Sequence, residues 1–173
     1  MTYSKRTIEK WAKSLTSWER GVARLGECIA HFQWVEEALN ICISALIGSS
    51  RKVGRIVTSE MSYRAKIAVY SSLCHHVLGL NELPEDLREL ISRLHWAEQE
   101  RNALAHSLWG VSEKDPNVVR REKTTSRKGR FVATEEFLTP DELQDLGDLF
   151  EGVATDLFYL SALYIPKLKR KLR

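Results

Sequence analysis

A charged residue, Arg101, interrupts an apolar stripe in the second half of the chain. Helical steps from Ala97 to Leu104 pass through Arg101, which therefore stands where the pattern calls for an apolar side chain. Because an unpaired guanidinium is costly to bury, Arg101 needs a carboxylate, a phosphate or an open cleft beside it. A salt bridge to Glu36 or Glu98 would make Arg101 a structural residue, whereas an open cleft would make it an anion-binding one.

A line of polar residues follows the same predicted helix beside this stripe. Glu98, Asn102 and His106 are spaced four residues apart, so they share one helix face. Histidine can exchange a proton near neutral pH, which makes His106 a candidate acid or base. The alternative is that His106 is a helix-end histidine favoured by the negative end of the helix dipole.

The six residues from Arg101 to His106 read Arg-Asn-x-x-Ala-His, and this pattern resembles the signature of the HEPN superfamily. That family consists of small all-α domains with an Arg and a His, four to six residues between them, near the end of a long helix. Two other pairs fit the bare spacing, Arg24 with His31 and Arg88 with His95, but neither has an Asn after the Arg together with an Ala before the His.

The wider arrangement of the helical body is also similar to this family. The first long helix carries the segment Phe32 to Glu36, a middle helix carries Lys66 after Ser62 to Arg64, and Trp109 follows the motif closely. The resemblance covers roughly Thr16 to Trp109 and the final helix.

The resemblance implies a metal-independent endoribonuclease without a cofactor, which cleaves RNA through its 2′-hydroxyl. Arg101 would clamp the phosphate, because arginine is permanently charged and binds phosphate oxygens in a bidentate manner. His106 would transfer protons, Asn102 would orient His106 or the substrate, and Glu98 is a further positioning candidate. The family resemblance extends to toxins and phage-defence effectors, so a cognate antitoxin is a candidate partner. The alternative is a catalytically silent HEPN-like module that binds RNA or a protein.

The spacing of Arg101 and His106 bears on oligomeric state. Positions five apart differ by about 140° around a helix, so the two side chains of one chain do not converge well on one phosphate. A two-fold dimer resolves this, because a second copy brings its own Arg and His across the same cleft. The resemblance to HEPN proteins implies such a composite site at a homodimer interface. We therefore predict an isologous homodimer with a composite site and the third long helix near the axis.

The net charge of +3 conceals an uneven distribution. Five basic residues and no acid occupy Lys167 to Arg173, and six basic residues stand against Glu122 alone between Val118 and Arg130. The rest of the chain is acidic. Such clusters suit a polyanion such as RNA, although solvated segments produce the same count. The candidate RNA-binding residues are Arg120, Arg121, Lys123, Arg127, Lys128 and Arg130.

The hydrophobic period is helical nearly throughout and predicts an all-α bundle of four main helices in a single domain, residues 1–173. The resemblance implies that this bundle is HEPN-like. Residues 111–134 break the period and predict a basic loop or β-hairpin inserted before the last helix. The predicted helices run from Val22 to Leu46, from Lys52 to Val57 (a short one), from Ser59 to Gly79, from Pro84 past His106 towards Gly110, and from Thr139 to Pro166.

The three cysteines predict reduced core thiols rather than disulfides or metal ligands. They are odd in number and widely spaced within apolar helical patterns. Cys74, His75 and His76 are adjacent, but helix neighbours point about 100° apart and do not close on one metal, so no metal site is predicted. With no apolar run long enough for a signal peptide or a membrane span, we expect a cytoplasmic protein without membrane contact.

Overall fold

The computed structural model describes residues 16–127 and 130–164. The predicted basic tail, Lys167 to Arg173, lies outside the described residues, as does Lys128. Within the described part, the elements follow one another along the chain as α1 (Ser17–Leu46), α2 (Arg51–Ser59), α3 (Tyr63–Leu78), α4 (Glu85–Ala105), β1 (Leu108–Val111), β2 (Val119–Arg127), β3 (Arg130–Leu138) and α5 (Pro140–Tyr164).

The prediction of a mostly helical fold is confirmed, and several helix ends lie at the predicted signals. Gly48 after α1 and Gly79 after α3 have positive φ angles of 74° and 66°, which glycine adopts without steric cost. Thr139 forms a capping box with Glu142 at the start of α5. The predicted helix start at Ser59 is wrong: Ser59 is the last residue of α2, and Ser62 caps α3 by accepting a hydrogen bond from the Ala65 N–H.

The third long helix is shorter than predicted. α4 ends at Ala105, and the apolar residues Leu108 to Val111 form strand β1 instead of a further helical turn. β1, β2 and β3 form an antiparallel sheet in that order, with Trp109 opposite Arg121 and Arg121 opposite Glu136. The predicted β-hairpin is therefore present as β2 and β3. β1 is an additional strand in a segment for which the hydrophobic period predicted helix.

The chain divides into two compact units, each made of separate stretches of sequence. The described residues of the first unit are 16–29, 102–127 and 130–147, and those of the second are 30–101 and 148–164. Among the described residues, no helix combines the length and the apolar character needed to cross a membrane.

In the first unit, the sheet and the start of α5 pack on the beginning of α1. Gly21 lies directly against the buried side chain of Val119 on β2, and a Cβ at this position would collide with it. The Cys28 thiol donates a 2.9 Å hydrogen bond to the Leu143 carbonyl. A bulky side chain at Gly21 is therefore incompatible with the observed packing.

In the second unit, stretches of all five helices form a bundle around an aromatic core. The Phe32 ring lies 4.8 Å from Tyr63 and 5.7 Å from Phe150, and Trp96 lies 5.8 Å from Phe150, all measured between ring centroids. Such pairs contribute about 0.5–1.5 kcal/mol each beyond the burial of their area. Phe32 is fully buried. Its ring contacts join α1 to α3 through Tyr63 and to α5 through Phe150 in this unit.

Candidate functional site

Arg101 lies against the central aromatic residue of the second unit. Its guanidinium carbon is 4.9 Å from the centroid of the Phe32 ring, which is the geometry of a cation–π contact. Arg101 as a whole is half-buried, and its guanidinium is held over an apolar ring. The sequence pattern placed a cation on the apolar stripe, and the ring of Phe32 explains how the bundle accommodates it.

Two acidic residues that sequence analysis offered as partners for Arg101 each form an ion pair with another cation. Glu36 of α1 accepts a 2.6 Å hydrogen bond from the Lys66 ammonium. Glu98 of α4 lies 3.4 Å from Nε of Arg64. Both ion pairs join neighbouring helices within the second unit, and both bring a second cation to the acids near Arg101.

Tyr63 is a buried residue whose phenol is influenced by three of these charged groups. It packs on Phe32, is 94% buried, and its hydroxyl has no hydrogen-bond partner among the described residues. Burial raises the pKa of the Tyr63 phenol, and the charges of Glu36 and Glu98 raise it further, while Arg101 opposes them. The two carboxylates and the guanidinium are therefore all close enough to act on the same phenol.

We call Glu36, Tyr63, Arg64, Lys66, Glu98 and Arg101 the polar cluster. These groups carry three cations and two carboxylates, so their net charge is positive. A positive, partly desolvated cluster holding a buried hydroxyl is suited to bind an anion with hydrogen-bond acceptors, such as a phosphate.

The structure places the other two predicted catalytic residues in the first unit. Asn102 lies in the last turn of α4, and its carbonyl accepts a 3.0 Å hydrogen bond from the His106 N–H. His106 follows the end of the helix directly and is exposed. Behind it, Trp109 donates from Nε1 to the Leu104 carbonyl at 2.9 Å, which fastens β1 to the helix end. An exposed imidazole on a fastened turn is available to a ligand.

Two of the six predicted RNA-binding residues on the hairpin, Arg120 and Arg121, are paired with acidic side chains. Arg120 pairs with Glu135 at 3.3 Å and lies 4.0 Å from Glu122, and Arg121 pairs with Glu136. Lys123 is exposed. Arg127 and Arg130 pair through their backbones at the end of the hairpin, and Lys128 lies outside the described residues. The acids of β3 follow the basic segment in sequence, so a count along the chain missed them.

A separate groove of about 840 Å³ lies in the second unit. It is bounded by the end of α1, by the turn into α2 and by α5, with Ile41, Ala45 and Phe158 among its lining residues. None of the predicted site residues lines it. The groove therefore adds no candidate to the predicted site.

Sequence analysis did not assign a site role to Tyr63, Lys66 or Glu36. The signal was present for Lys66, because it shares a helix face with the buried Tyr63 and Tyr70 and is itself a charged residue on an apolar face.

No family model, no curated protein and no solved structure matches this chain. The functional assignment therefore rests on the motif and on the local geometry.

Proposed function

We propose that this protein is a HEPN-type endoribonuclease that needs no metal ion for cleavage. The observation that carries the proposal is Arg101, the first residue of the Arg-Asn-x-x-Ala-His motif, held over Phe32 as part of the positive polar cluster. Arginine binds phosphate oxygens bidentately and stays charged at any physiological pH. The cluster thus supports phosphate binding at the position that the motif assigns to it.

The reaction that fits these residues is an internal transesterification. The 2′-oxygen attacks the adjacent phosphorus, a 2′-O–P bond forms, and the P–O5′ bond breaks. The proton of the 2′-hydroxyl passes to a base, and a proton is delivered to the departing 5′-oxygen, so no water is consumed in this step. His106 is the proton-transfer residue, Arg101 stabilises the charge on the phosphorane, and Asn102 and Glu98 position them. The products are a 2′,3′-cyclic phosphate and a 5′-hydroxyl.

The proposal includes a homodimer whose active site uses both copies. Residues five apart on a helix diverge by about 140°, so His106 of one copy would act with Arg101 of its partner on the same phosphate. Mixing R101A and H106A chains tests this directly, because a mixed dimer retains one intact site. Recovery of cleavage on mixing would support a shared site, and no recovery, with mixed dimers verified, would contradict it.

The decisive experiment incubates the purified protein with RNA in EDTA beside matched variants. R101A should lower the cleavage rate by about 100–1,000-fold and H106A by about 100–10,000-fold. R88A and H95A are the controls, because that pair fits the bare spacing but lacks the Asn and the Ala. These controls should cleave at the wild-type rate, and the 3′ ends should carry a cyclic phosphate.

Two results would argue against the assignment. Cleavage that persists in both R101A and H106A would exclude the proposed residues. No cleavage by the wild-type protein across total RNA would favour the catalytically silent module, which binds RNA or a protein.

A further inference from the structure

Three side chains of the second unit that commonly bind metals come together outside the polar cluster. His31 lies on α1, and Asp148 and Glu151 lie one turn apart on α5. One ligand atom from each, an imidazole nitrogen and two carboxylate oxygens, lies within 4.8 Å of the others. Nothing in the ribonuclease proposal uses these three residues.

The backbone that carries these ligands is fixed by the core. His31 directly precedes Phe32, and Glu151 directly follows Phe150; both phenylalanines are fully buried and their rings touch edge to face at 5.7 Å. His31 on α1 and Glu151 on α5 therefore lie on helices whose separation is set by the packing of Phe32 on Phe150. Ligands on rigid elements bind a metal more tightly than ligands on loops.

The His31 ring is also held by a neighbour. The indole of Trp34 stacks on it with centroids 5.4 Å apart and planes inclined by 23°. Stacking restricts the rotation of the imidazole, so one of the three ligands is oriented before any metal arrives. Asp148 and Glu151 are exposed, so their carboxylates can rotate onto an ion without disturbing the core.

We propose that His31, Asp148 and Glu151 bind a divalent transition-metal ion, with Zn²⁺ as the best match. An imidazole nitrogen favours zinc over the hard cations Mg²⁺ and Ca²⁺, which prefer oxygen ligands only. Two carboxylates balance the charge of the dication. In a tetrahedral site with bonds of about 2.0–2.2 Å, ligand atoms are about 3.3–3.6 Å apart, which small rotations of the two exposed carboxylates provide. Water completes the coordination.

Binding at this site joins α1 to α5. An ion that binds only the folded protein stabilises it, so Zn²⁺ at about one hundred times its dissociation constant should raise Tm by about 5–10 °C. The same ion should not affect an unfolded chain, because His31 is far in sequence from Asp148 and Glu151 and only the fold brings the three together. The proposal therefore predicts a metal-dependent Tm for the wild-type protein.

The direct test is calorimetric titration of the full chain, without an affinity tag, with Zn²⁺. We expect one ion per chain, and affinity weakened by at least about tenfold in H31A and in a D148N/E151Q variant. H76A is the matched control, because His76 is an exposed histidine on α3. Ni²⁺ should also quench the fluorescence of Trp34, and W34F should lose that quenching while it still binds the ion.

Several outcomes would overturn the metal site. His31 is half-buried, so circular dichroism should first show that H31A is folded. Equal Zn²⁺ affinity in folded H31A and wild type would exclude His31 as a ligand, and equal affinity for Mg²⁺ and Zn²⁺ would exclude the mixed ligand set. These readouts are independent of RNA cleavage, which is measured in EDTA, so either proposal can fail without the other.

Discussion

The Lys66 ammonium lies 2.6 Å from a carboxylate oxygen of Glu36, and only 4% of Lys66 is exposed. A lysine so deeply buried survives only beside an opposite charge, because desolvation of an isolated ammonium costs several kcal/mol. The pair therefore joins α1 to α3 at the edge of the polar cluster. It also holds Glu36 close to Tyr63, whose phenol responds to that charge.

We expect K66M to destabilise the protein by about 1–3 kcal/mol, because it leaves the Glu36 carboxylate without its ammonium. This is less than for a fully enclosed pair, since a quarter of the Glu36 side chain is exposed. The double variant E36Q/K66M should recover part of the loss, because both charges are gone. Urea unfolding measures all three stabilities, and a double variant less stable than K66M would contradict a coupled pair.

Two buried tyrosines provide a matched pair of tests. Y63F removes a hydroxyl that has no hydrogen-bond partner among the described residues, so it should leave stability unchanged or raise it by up to about 1 kcal/mol. Y70F breaks the buried 2.8 Å hydrogen bond between Tyr70 and Ser161 and should cost about 1–2 kcal/mol. Chemical denaturation of both variants checks the contrast.

The Y63F and Y70F variants also distinguish an effect on stability from an effect on RNA binding or cleavage. If the polar cluster binds the RNA phosphate, Y63F should weaken RNA binding or cleavage at undiminished stability, whereas Y70F should affect stability first. Loss of RNA binding in Y70F alone, with Y63F behaving as wild type, would remove Tyr63 from the proposed site.

Local patterns sufficed to predict most of the helical fold. Gly48 and Gly79 end helices for a local reason, since each has a positive φ angle, and the Thr139 cap is likewise encoded within four residues. Strand β1 could not be predicted in this way. Leu108 to Val111 continue the helical period, and only their pairing with β2, on the other side of the turn that follows, makes them a strand.

In the candidate site, too, features within one helix could be predicted from the sequence, whereas contacts between elements could not. Arg101 was recognisable from its own helix, because a cation on an apolar stripe is a local feature. The ion pairs of Arg120 and Arg121 depend on the register of β2 with β3, which no segment composition reveals. The metal-binding residues were missed for a related reason, because His31 meets Asp148 and Glu151 only through the packing of α1 on α5 in the second unit.

Two helical glycines should respond oppositely to alanine. A Cβ at Gly54 would collide with the side chain of Ser44 and lie 3.1 Å from its Cα, so rotation of the serine cannot relieve the contact. G54A should therefore destabilise by about 1–3 kcal/mol. Gly26 has nothing within 4 Å of the added Cβ and is exposed, so G26A should stabilise by about 0.5–1 kcal/mol. Equal effects in thermal unfolding would contradict the close packing of α2 on α1.

The three buried cysteines should be unreactive in the folded protein. Burial raises the pKa of Cys28 and Cys74 to about 11 and that of Cys42 to about 12, from an ordinary 9.0. Because the thiolate is the reactive form, an aromatic disulfide reagent at pH 8 should label none of them in the native state and all three in urea. Rapid labelling of the native protein would contradict their burial.

The raised pKa of Cys42 also predicts how stability changes in alkali. The native protein keeps the Cys42 proton up to about pH 12, whereas the unfolded chain loses it near pH 9.0. The contribution is therefore fully present below pH 9 and is lost as the pH rises from 9 towards 12, with a slope of up to about 1.4 kcal/mol per pH unit. C42A removes this titration, so its stability should fall less steeply than that of wild type between pH 9 and 10.5. The difference between the two slopes isolates Cys42 from the lysines and tyrosines that titrate in the same range, and parallel curves would show that the thiol does not lose its proton on unfolding.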